Sequence, residues 1–487
     1  MVWSQLVLIC MLGTMVSWLT IAWLIHSKYN AHFISDAQPH HTHVRQTSRV
    51  GGIGIICGFL SCYLLFYYIF GLSQNANGPY AVVLLGALSA FVLGLVDDVK
   101  SIDARFKFII QILIAVISHE YGLSIDRIDL PFLEWNLDLS NWSLVLTVFW
   151  FVSIMNLVNL IDGLDGLAGG IGFMLMVLLV VLGMGKSISL SVFLSLGMAG
   201  AILGFLIHNF PPAKVYMGDS GAYTIGYVIA ALSLMNFQKG AVIAALIGPM
   251  IALALPIIDV LFAIIRRFTQ GLPIFRPDKE HIHHQLMRSG LSHKNTVLVL
   301  YGISLVALAG GILVYSNQGR YFPLFIGFLM VSVIFLIRVL PRNPFEIKRA
   351  LFDSLESRSE IQNYVRLSRW LVAEVDQYSR SRDLWEDYQF FLKKLGFVRV
   401  MIEIDGVKKE YYMSPNTLDS DVEELLESQC YLFDSKNTMS KIQYFVDGTV
   451  VSQRRFILLC EIAHETWTLA IKRWKALNRA SCQLDFD

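Results

Sequence analysis

In residues 1–340, apolar residues gather in long uninterrupted runs separated by short polar loops. Crossing a bilayer as a helix takes about 20 apolar residues. Runs that fit this length fall near 4–25, 50–71, 79–96, 106–120, 141–160, 167–185, 188–208, 220–236, 240–265, 295–315 and 321–340, with 106–120 the shortest. Residues 123–140 alternate apolar and polar, which predicts a small hairpin. Beyond 340 the pattern changes. Apolar residues recur at helical spacing within charged sequence, predicting amphipathic helices over about 353–396 and 454–478. Short strands are expected near 398–405, 409–414 and 442–452, with Asp405-Gly406 and Asp447-Gly448 as hairpin turns. The pattern therefore predicts an all-α polytopic membrane protein of 10–11 transmembrane helices over 1–340, followed by an α+β domain over 341–487.

Composition agrees with a membrane protein. The 487 residues are 55% hydrophobic and only 16% charged, where soluble domains are nearer about 25%. A net charge of +1 gives no reason to expect a nucleic acid partner. Cys10, Cys57 and Cys62 lie in apolar runs, and Cys430, Cys460 and Cys482 are scattered in the tail. No Cys-x-x-Cys pair suggests a disulfide framework or a zinc site. The first apolar run lacks a basic leading segment and a small-residue cleavage site, so it reads as a retained span.

Charge then sets the orientation. With the N-terminus outside, the loops around 26–49, 97–105, 161–166, 209–219 and 266–294 face the cytoplasm, as does the tail. Those loops and their flanks carry Arg45, Arg49, Lys100, Lys107, Lys214 and Arg276 among others, while the opposite loops carry Arg127, Lys186, Lys239 and Arg320. Lys and Arg in excess mark the cytoplasmic side.

The unusual polar sequence lies on that same side. Asn156-Leu-Val-Asn159-Leu-Ile-Asp162-Gly-Leu-Asp165-Gly166 places two amides and two carboxylates beside apolar runs. Carboxylates at a membrane edge are costly and so point to function, although a polar hairpin with glycine turns also fits this stretch alone. Asp97-Asp98 ends an apolar run. Two adjacent carboxylates repel unless a cation relieves them, and a hard ion such as Mg²⁺ takes oxygen ligands and keeps substrate phosphates in its shell. Asp219 stands between two glycines at a helix start, where it suits phosphate or metal, or simple capping. His281-Ile-His283-His284 follows Arg276 and Lys279. It lacks the spaced partners of a zinc site, and with cations beside it a grip on diphosphate fits better. His40–His43 reads equally well as a polar linker. Carboxylates for a metal, cations for phosphates and a membrane edge together fit phosphoryl transfer between a cytosolic nucleotide and a lipid-borne phosphate.

These motifs resemble, in order and loop placement over about residues 1–340, the polyprenyl-phosphate N-acetylhexosamine-1-phosphate transferases of glycosyltransferase family 4. The form Arg276-Pro-Asp278-Lys-Glu-His281-Ile-His283-His284 is similar to the branch using UDP-GlcNAc and undecaprenyl phosphate. The resemblance implies transfer of GlcNAc-1-phosphate to undecaprenyl phosphate with release of UMP. That step would initiate a cell-surface polysaccharide such as O-antigen or teichoic acid, at the bacterial inner membrane. It implies Mg²⁺, or Mn²⁺, at Asp219 with Asn159. It implies that Asp97, beside Asp98, orients or deprotonates the lipid phosphate, and that Lys107 contacts phosphate. Tyr216 takes the place of an aromatic that stacks on uracil. Asp162 and Asp165 match the nucleotide-side acidic pair, His281, His283 and His284 the diphosphate-side histidines. Arg49, Asn209 and Arg276 join the expected substrate-binding set, and a homodimer is a further expectation. A CDP-alcohol phosphotransferase is excluded, because Asp165-Gly166 is followed by Leu-Ala-Gly and not Ala-Arg. A transporter or flippase would need midplane charges and an inverted repeat, and neither is present. The tail lies outside this pattern and loosely resembles a small α+β sensory domain of the GAF type, with a regulatory or docking role expected.

Overall fold

The computed structural model describes residues 2–27, 33, 47–70, 79–130, 135–184, 190–237, 264, 267–268, 286–287, 290–316, 358–404, 407–413, 425–433, 439–449, 451 and 453–481. The expected span at 321–340, that at 240–265 apart from Ile264, the His40–His43 cluster, and Arg276, His281, His283 and His284 lie outside these residues. Two compact units are formed. One comprises 1–35, 45–263 and 278–342, the other 36–44, 264–277 and 343–487.

The first unit is a helical bundle. Its described helices are α1 (Val2–His26), α2 (Gly51–Phe70), α3 (Pro79–Val99), α4 (Ala104–Glu120), α5 (Ser143–Ile161), α6 (Leu167–Gly183), α7 (Leu190–Asn209), α8 (Gly218–Phe237) and α9 (His293–Ser316). Each follows an apolar run read from the sequence, to within a few residues at either end. Among the described residues, six helices (α1, α2, α3, α5, α7 and α9) are long and apolar enough to cross a membrane, and α6 is a shorter apolar helix. The chain is a multi-pass membrane protein.

Helix α8 is the hub. It packs against α2, α3, α5, α6 and α7, and from Ala222 to Leu234 nearly every side chain is buried. A helix wrapped by other helices has no lipid face, so it can carry polar groups provided they are bonded. Thr224 donates to the Ser220 carbonyl at 2.6 Å, and Tyr227 donates to the Val82 carbonyl at 3.1 Å. The Trp150 indole N–H on α5 reaches the Ser233 hydroxyl at 3.2 Å. By contrast, Trp23 and Met11 on α1, Phe106 and Leu113 on α4 and Phe149 on α5 are exposed, as side chains facing lipid must be. The expected hairpin at 123–140 is present as β1 (Arg127–Leu130) paired antiparallel with β2 (Trp135–Asp138). It joins the end of α4 to the start of α5.

In the second unit, α10 (Arg358–Glu374) and α11 (Ser381–Lys394) precede a four-stranded antiparallel sheet, and α12 (Gln453–Ser481) follows it. The sheet order is β4 (Val407–Tyr412), β3 (Arg399–Ile404), β6 (Met439–Asp447), β5 (Leu425–Phe433). The helices cover one face through Trp385, Tyr388, Phe391, Trp467 and Trp474, which pack with Val400, Ile402, Ile442 and Tyr444. The single helix expected over 353–396 breaks between Glu374 and Ser381. Strand β5 was not anticipated. Ile404 pairs with Val407, as a two-residue hairpin connection requires, although Asp405 and Gly406 lie outside the described residues. Asp447-Gly448 forms no hairpin. Its carboxylate accepts the Thr449 amide at 2.9 Å, and the chain turns from β6 into α12.

Candidate active site

The functional residues collect at one end of the bundle because alternate helix ends meet there. The C-termini of α3, α5 and α7 bring Asp97-Asp98, Asn159 and Asn209, and the N-termini of α4 and α8 bring Lys107 and Asp219. The α5–α6 and α7–α8 loops add Asp162, Asp165 and Tyr216, and the chain leading into α2 adds Arg49. The hairpin β1–β2 lies at the opposite ends of α4 and α5.

Asp97 closes the short turn between α3 and α4. Its Oδ1 accepts the Ile102 amide at 2.8 Å, and Oδ2 pairs with Lys107 Nζ at 2.8 Å. Asp103 caps α4 by accepting the Arg105 amide at 2.7 Å, which sets the turn on which Lys107 sits. The Lys107 ammonium also lies 3.5 Å from Asp219 Oδ2, so one cation stands between two carboxylates. Asn159 Nδ2 lies 3.5 Å from Asp219 Oδ2 and 3.3 Å from the Tyr223 hydroxyl.

Asp98 behaves differently from its neighbour. Its two oxygens accept the Asp219 amide at 2.9 Å and the Ser220 amide at 3.0 Å. Successive helix residues point about 100° apart, so the two carboxylates reach different partners. Asp98 is thus an N-cap supplied to α8 from another helix, meeting two otherwise orphaned donors and the positive end of the helix dipole. Gly218 makes the approach possible. Its φ is +73°, and a Cβ there would lie 2.5 Å from Asp98 Oδ2.

The α5–α6 loop is held by α7, the α7–α8 loop and α9. Gly166 has φ +80°, and its amide donates to Asn209 Oδ1 at 2.8 Å. Asn209 is 2% exposed, and its Nδ2 donates to the Val215 carbonyl at 2.8 Å. Both ends of the Asn209 amide therefore serve backbone, and the side chain holds two loops together where direct substrate contact was expected. Asp165 Oδ2 accepts the Ala213 amide at 3.0 Å. The Tyr301 hydroxyl donates to the Gly166 carbonyl. Asn156, one helical turn before the site, donates to Gln111 Oε1 at 2.6 Å, an interhelical amide pair between α5 and α4.

Asp162 lies in the loop just past α5. Burial pushes its carboxyl well above the usual range, and the charges of Asp219, Asp98 and Asp165 add to the rise while Arg49 opposes it. Tyr216 is half-buried, hydrogen-bonded to Thr47 and near enough to Asp165, Asp162 and Arg49 to feel their charges, with its phenol pushed up mainly by burial. The strand-like pairing of Ser48 with Val215 brings Arg49 and Tyr216 together, through the Tyr216 amide and the Ser48 carbonyl at 2.8 Å.

The donors at Asp219 and Asp97 are hard carboxylate oxygens, which suit a hard divalent cation. Among the described residues no group of three or more His, Cys, Asp or Glu forms a closed metal cage. Mg²⁺ rarely uses such a cage and completes its shell with waters and substrate phosphates, so the residues fit it. Three residues in this arrangement were not singled out in the sequence. Tyr223 follows Asp219 by one helical turn, so its spacing could have shown it. Tyr301 and Thr47 carry no such signal.

Comparison with known proteins gives a consistent picture. The model of glycosyl transferase family 4 matches residues 80–236. The chain is 37% identical over 300 residues to a probable undecaprenyl-phosphate N-acetylglucosaminyl 1-phosphate transferase of Bacillus subtilis (strain 168), covering 61% of this chain and 80% of that one. It is 30% identical over 378 residues to a decaprenyl-phosphate N-acetylglucosaminephosphotransferase of Mycolicibacterium smegmatis, covering 70% and 90%. An undecaprenyl-phosphate alpha-N-acetylglucosaminyl 1-phosphate transferase of Escherichia coli (strain K12) is 26% identical over 297 residues, covering 59% and 78%. By this similarity, which spans most of each relative, the chain belongs to glycosyl transferase family 4, in the branch of the polyprenyl-phosphate N-acetylglucosamine-1-phosphate transferases.

Proposed function

We propose that this enzyme transfers GlcNAc-1-phosphate from UDP-GlcNAc to undecaprenyl phosphate, giving undecaprenyl-diphosphate-GlcNAc and UMP. The observation that carries the reading is the convergence of Asp97, Lys107, Asn159 and Asp219 at one end of a membrane bundle, with Asp162, Asp165, Tyr216 and Arg49 beside them. An oxygen of the lipid phosphate bonds to the phosphorus that carries GlcNAc, and the bridge to UMP breaks. That oxygen is already largely ionised near neutrality, since a phosphate second pKa is about 6. With both its oxygens bonded, Asp97 orients Lys107 and leaves the ammonium to meet lipid phosphate. Asp162 and Asp165 stand on the nucleotide side, with Tyr216 against the base and Arg49 offsetting the carboxylate charge. Asp219, with Asn159 alongside, would hold Mg²⁺, which supplies neutralisation of charge on the diphosphate. The site end of the bundle and the C-terminal domain face the cytoplasm at the inner membrane, where UDP-GlcNAc is available. The reaction initiates a cell-surface polysaccharide.

In membranes, label from UDP-GlcNAc should pass to butanol-extractable lipid only with Mg²⁺ or Mn²⁺, and UMP should reverse it. Full activity of Asp219→Ala would overturn the metal assignment. A panel of UDP-sugars that favoured another N-acetylhexosamine would change the sugar and leave the mechanism in place. The C-terminal domain is read as regulatory or docking. Deletion of 345–487 with no change in rate, feedback or complex formation would remove that role.

A further inference from the structure

The α5–α6 loop carries both nucleotide-side carboxylates, yet its shape is set from outside. Gly166 sits at a φ of +80°, its amide donating to Asn209 and its carbonyl accepting from Tyr301. The two groups belong to the successive peptides on either side of the Gly166 Cα, so holding both restrains the turn at that residue, and the Gly170 amide adds a helical bond to the same carbonyl at 2.9 Å. Asp165, the preceding residue, accepts the Ala213 amide. It also lies 4.0 Å from His293 Nε2, on the first turn of the helix that carries Tyr301. Tyr301 has a fitted seat. A Cβ on Gly170 would lie 2.0 Å from its hydroxyl and 2.1 Å from Cζ, so glycine at 170 makes the room the ring occupies.

We propose that Tyr301 is a positioning residue for the nucleotide: by holding the Gly166 carbonyl while Asn209 holds the Gly166 amide, it fixes the reach of Asp162 and Asp165 toward UDP-GlcNAc. This rests on the assignment of those carboxylates to the nucleotide side. Helix α9 lies well along the chain from the other site elements, and this contact makes it part of the nucleotide subsite. The lipid-side pair, Asp97 with Lys107, belongs to α3 and α4 and has no bond to Tyr301 among the described residues. The effect is therefore confined to one substrate.

The test is steady-state kinetics on the full-length enzyme carrying Tyr301→Phe, which removes the hydroxyl and keeps the ring. A lost neutral hydrogen bond to a buried carbonyl corresponds to roughly threefold to tenfold in affinity. The KM for UDP-GlcNAc and the inhibition constant of UMP should rise by that factor, with the KM for undecaprenyl phosphate unchanged. Gly170→Ala, whose methyl would collide with the Tyr301 hydroxyl and ring and push both from their seat, should give the same pattern. Asp162→Asn and Asp165→Asn separate the two levels of the argument. If they raise the nucleotide KM and Tyr301→Phe does not, the clamp is overturned and the nucleotide reading stands. If none of them raises it, the reading beneath falls and the clamp with it. A lowered melting temperature in Tyr301→Phe with both KM values unchanged would show a purely structural tyrosine and also overturn the proposal.

Discussion

Replacing Asp98 by alanine should damage the site without removing any group that meets substrate. The carboxylate accepts the amides of Asp219 and Ser220 at 2.9 and 3.0 Å. Hydrogen bonds to a charged group contribute about 1.5–3 kcal/mol each when both partners are buried, and a helix cap alone contributes about 1 kcal/mol. The two bonds share one carboxylate and one helix end, so they are not additive, and about 3 kcal/mol is a reasonable total. One of the two amides belongs to Asp219 itself, so its loss lets that carboxylate drift from Asn159 and Lys107. The expected result is a fall in kcat/KM of about 100-fold, a higher Mg²⁺ concentration for half-maximal rate, and a lower melting temperature in metal-free enzyme. Asp98→Asn keeps one acceptor in a residue that caps helices well, so it should recover about half of that free energy, leaving roughly a tenfold loss. Kinetics with Mg²⁺ titration, alongside thermal unfolding in detergent with chelator, reads all three quantities. Equal loss in Asp98→Asn and Asp98→Ala, with melting temperatures unchanged in both, would refute the reasoning, because it would show that the charge of Asp98 acts directly on substrate or metal.

Other outcomes follow from the same geometry. Lys107→Ala leaves Asp97 and Asp219 without their shared cation and should lower kcat/KM by about 100-fold, mainly through the KM for lipid phosphate; Lys107→Arg should recover part of it, and an unchanged lipid KM in the alanine variant would contradict the assignment. The folded pKa of Asp162 is raised above its unfolded value, so its contribution to stability is lost as pH rises from the ordinary carboxylate range toward that raised value. In metal-free enzyme, Asp162→Asn should therefore raise the melting temperature at pH 8 and change it little at pH 4, and the opposite trend would show that the carboxyl is not desolvated. Asn156→Ala leaves Gln111 without its amide partner and should cost about 1 kcal/mol in thermal unfolding with both KM values unchanged. In the C-terminal domain, Tyr388→Phe removes a buried hydroxyl placed 3.0 Å from both the Tyr444 hydroxyl and the Ala463 carbonyl. It should lower that domain's unfolding transition and leave transfer activity at the wild-type rate.

Most of this molecule's architecture follows from local pattern. A run of about 20 apolar residues has one stable form in lipid, because every backbone polar group must be bonded within the segment. Run length alone therefore located α1 to α9, and the alternation at 123–140 located the hairpin. The polar groups at run ends were also legible, since a carboxylate or amide at a membrane edge needs a reason. Asp97, Lys107, Asn159 and Asp219 do come together as the sequence motifs suggest. The resemblance to a known family, more than periodicity, supplied their expected order and roles.

Tertiary structure decided which atoms each of those residues meets. Asp97 and Asp98 are neighbours of identical chemistry, and only the packing of α8 beside α3 turns one toward Lys107 and the other onto the Asp219 and Ser220 amides. Asn209 looked like a substrate contact, but two backbone partners from different loops occupy it. Tyr301 stood unremarked in an apolar run, because its partner, the Gly166 carbonyl, is 135 residues away. In the C-terminal domain, β5 finds its register only against β6, so its own sequence carried too weak a signal. Local sequence sets what a segment becomes, since helix and strand are chosen by bonds and burial within a few residues. The division of labour among similar side chains is set by contacts between segments far apart in the chain, and those exist only once the bundle has closed.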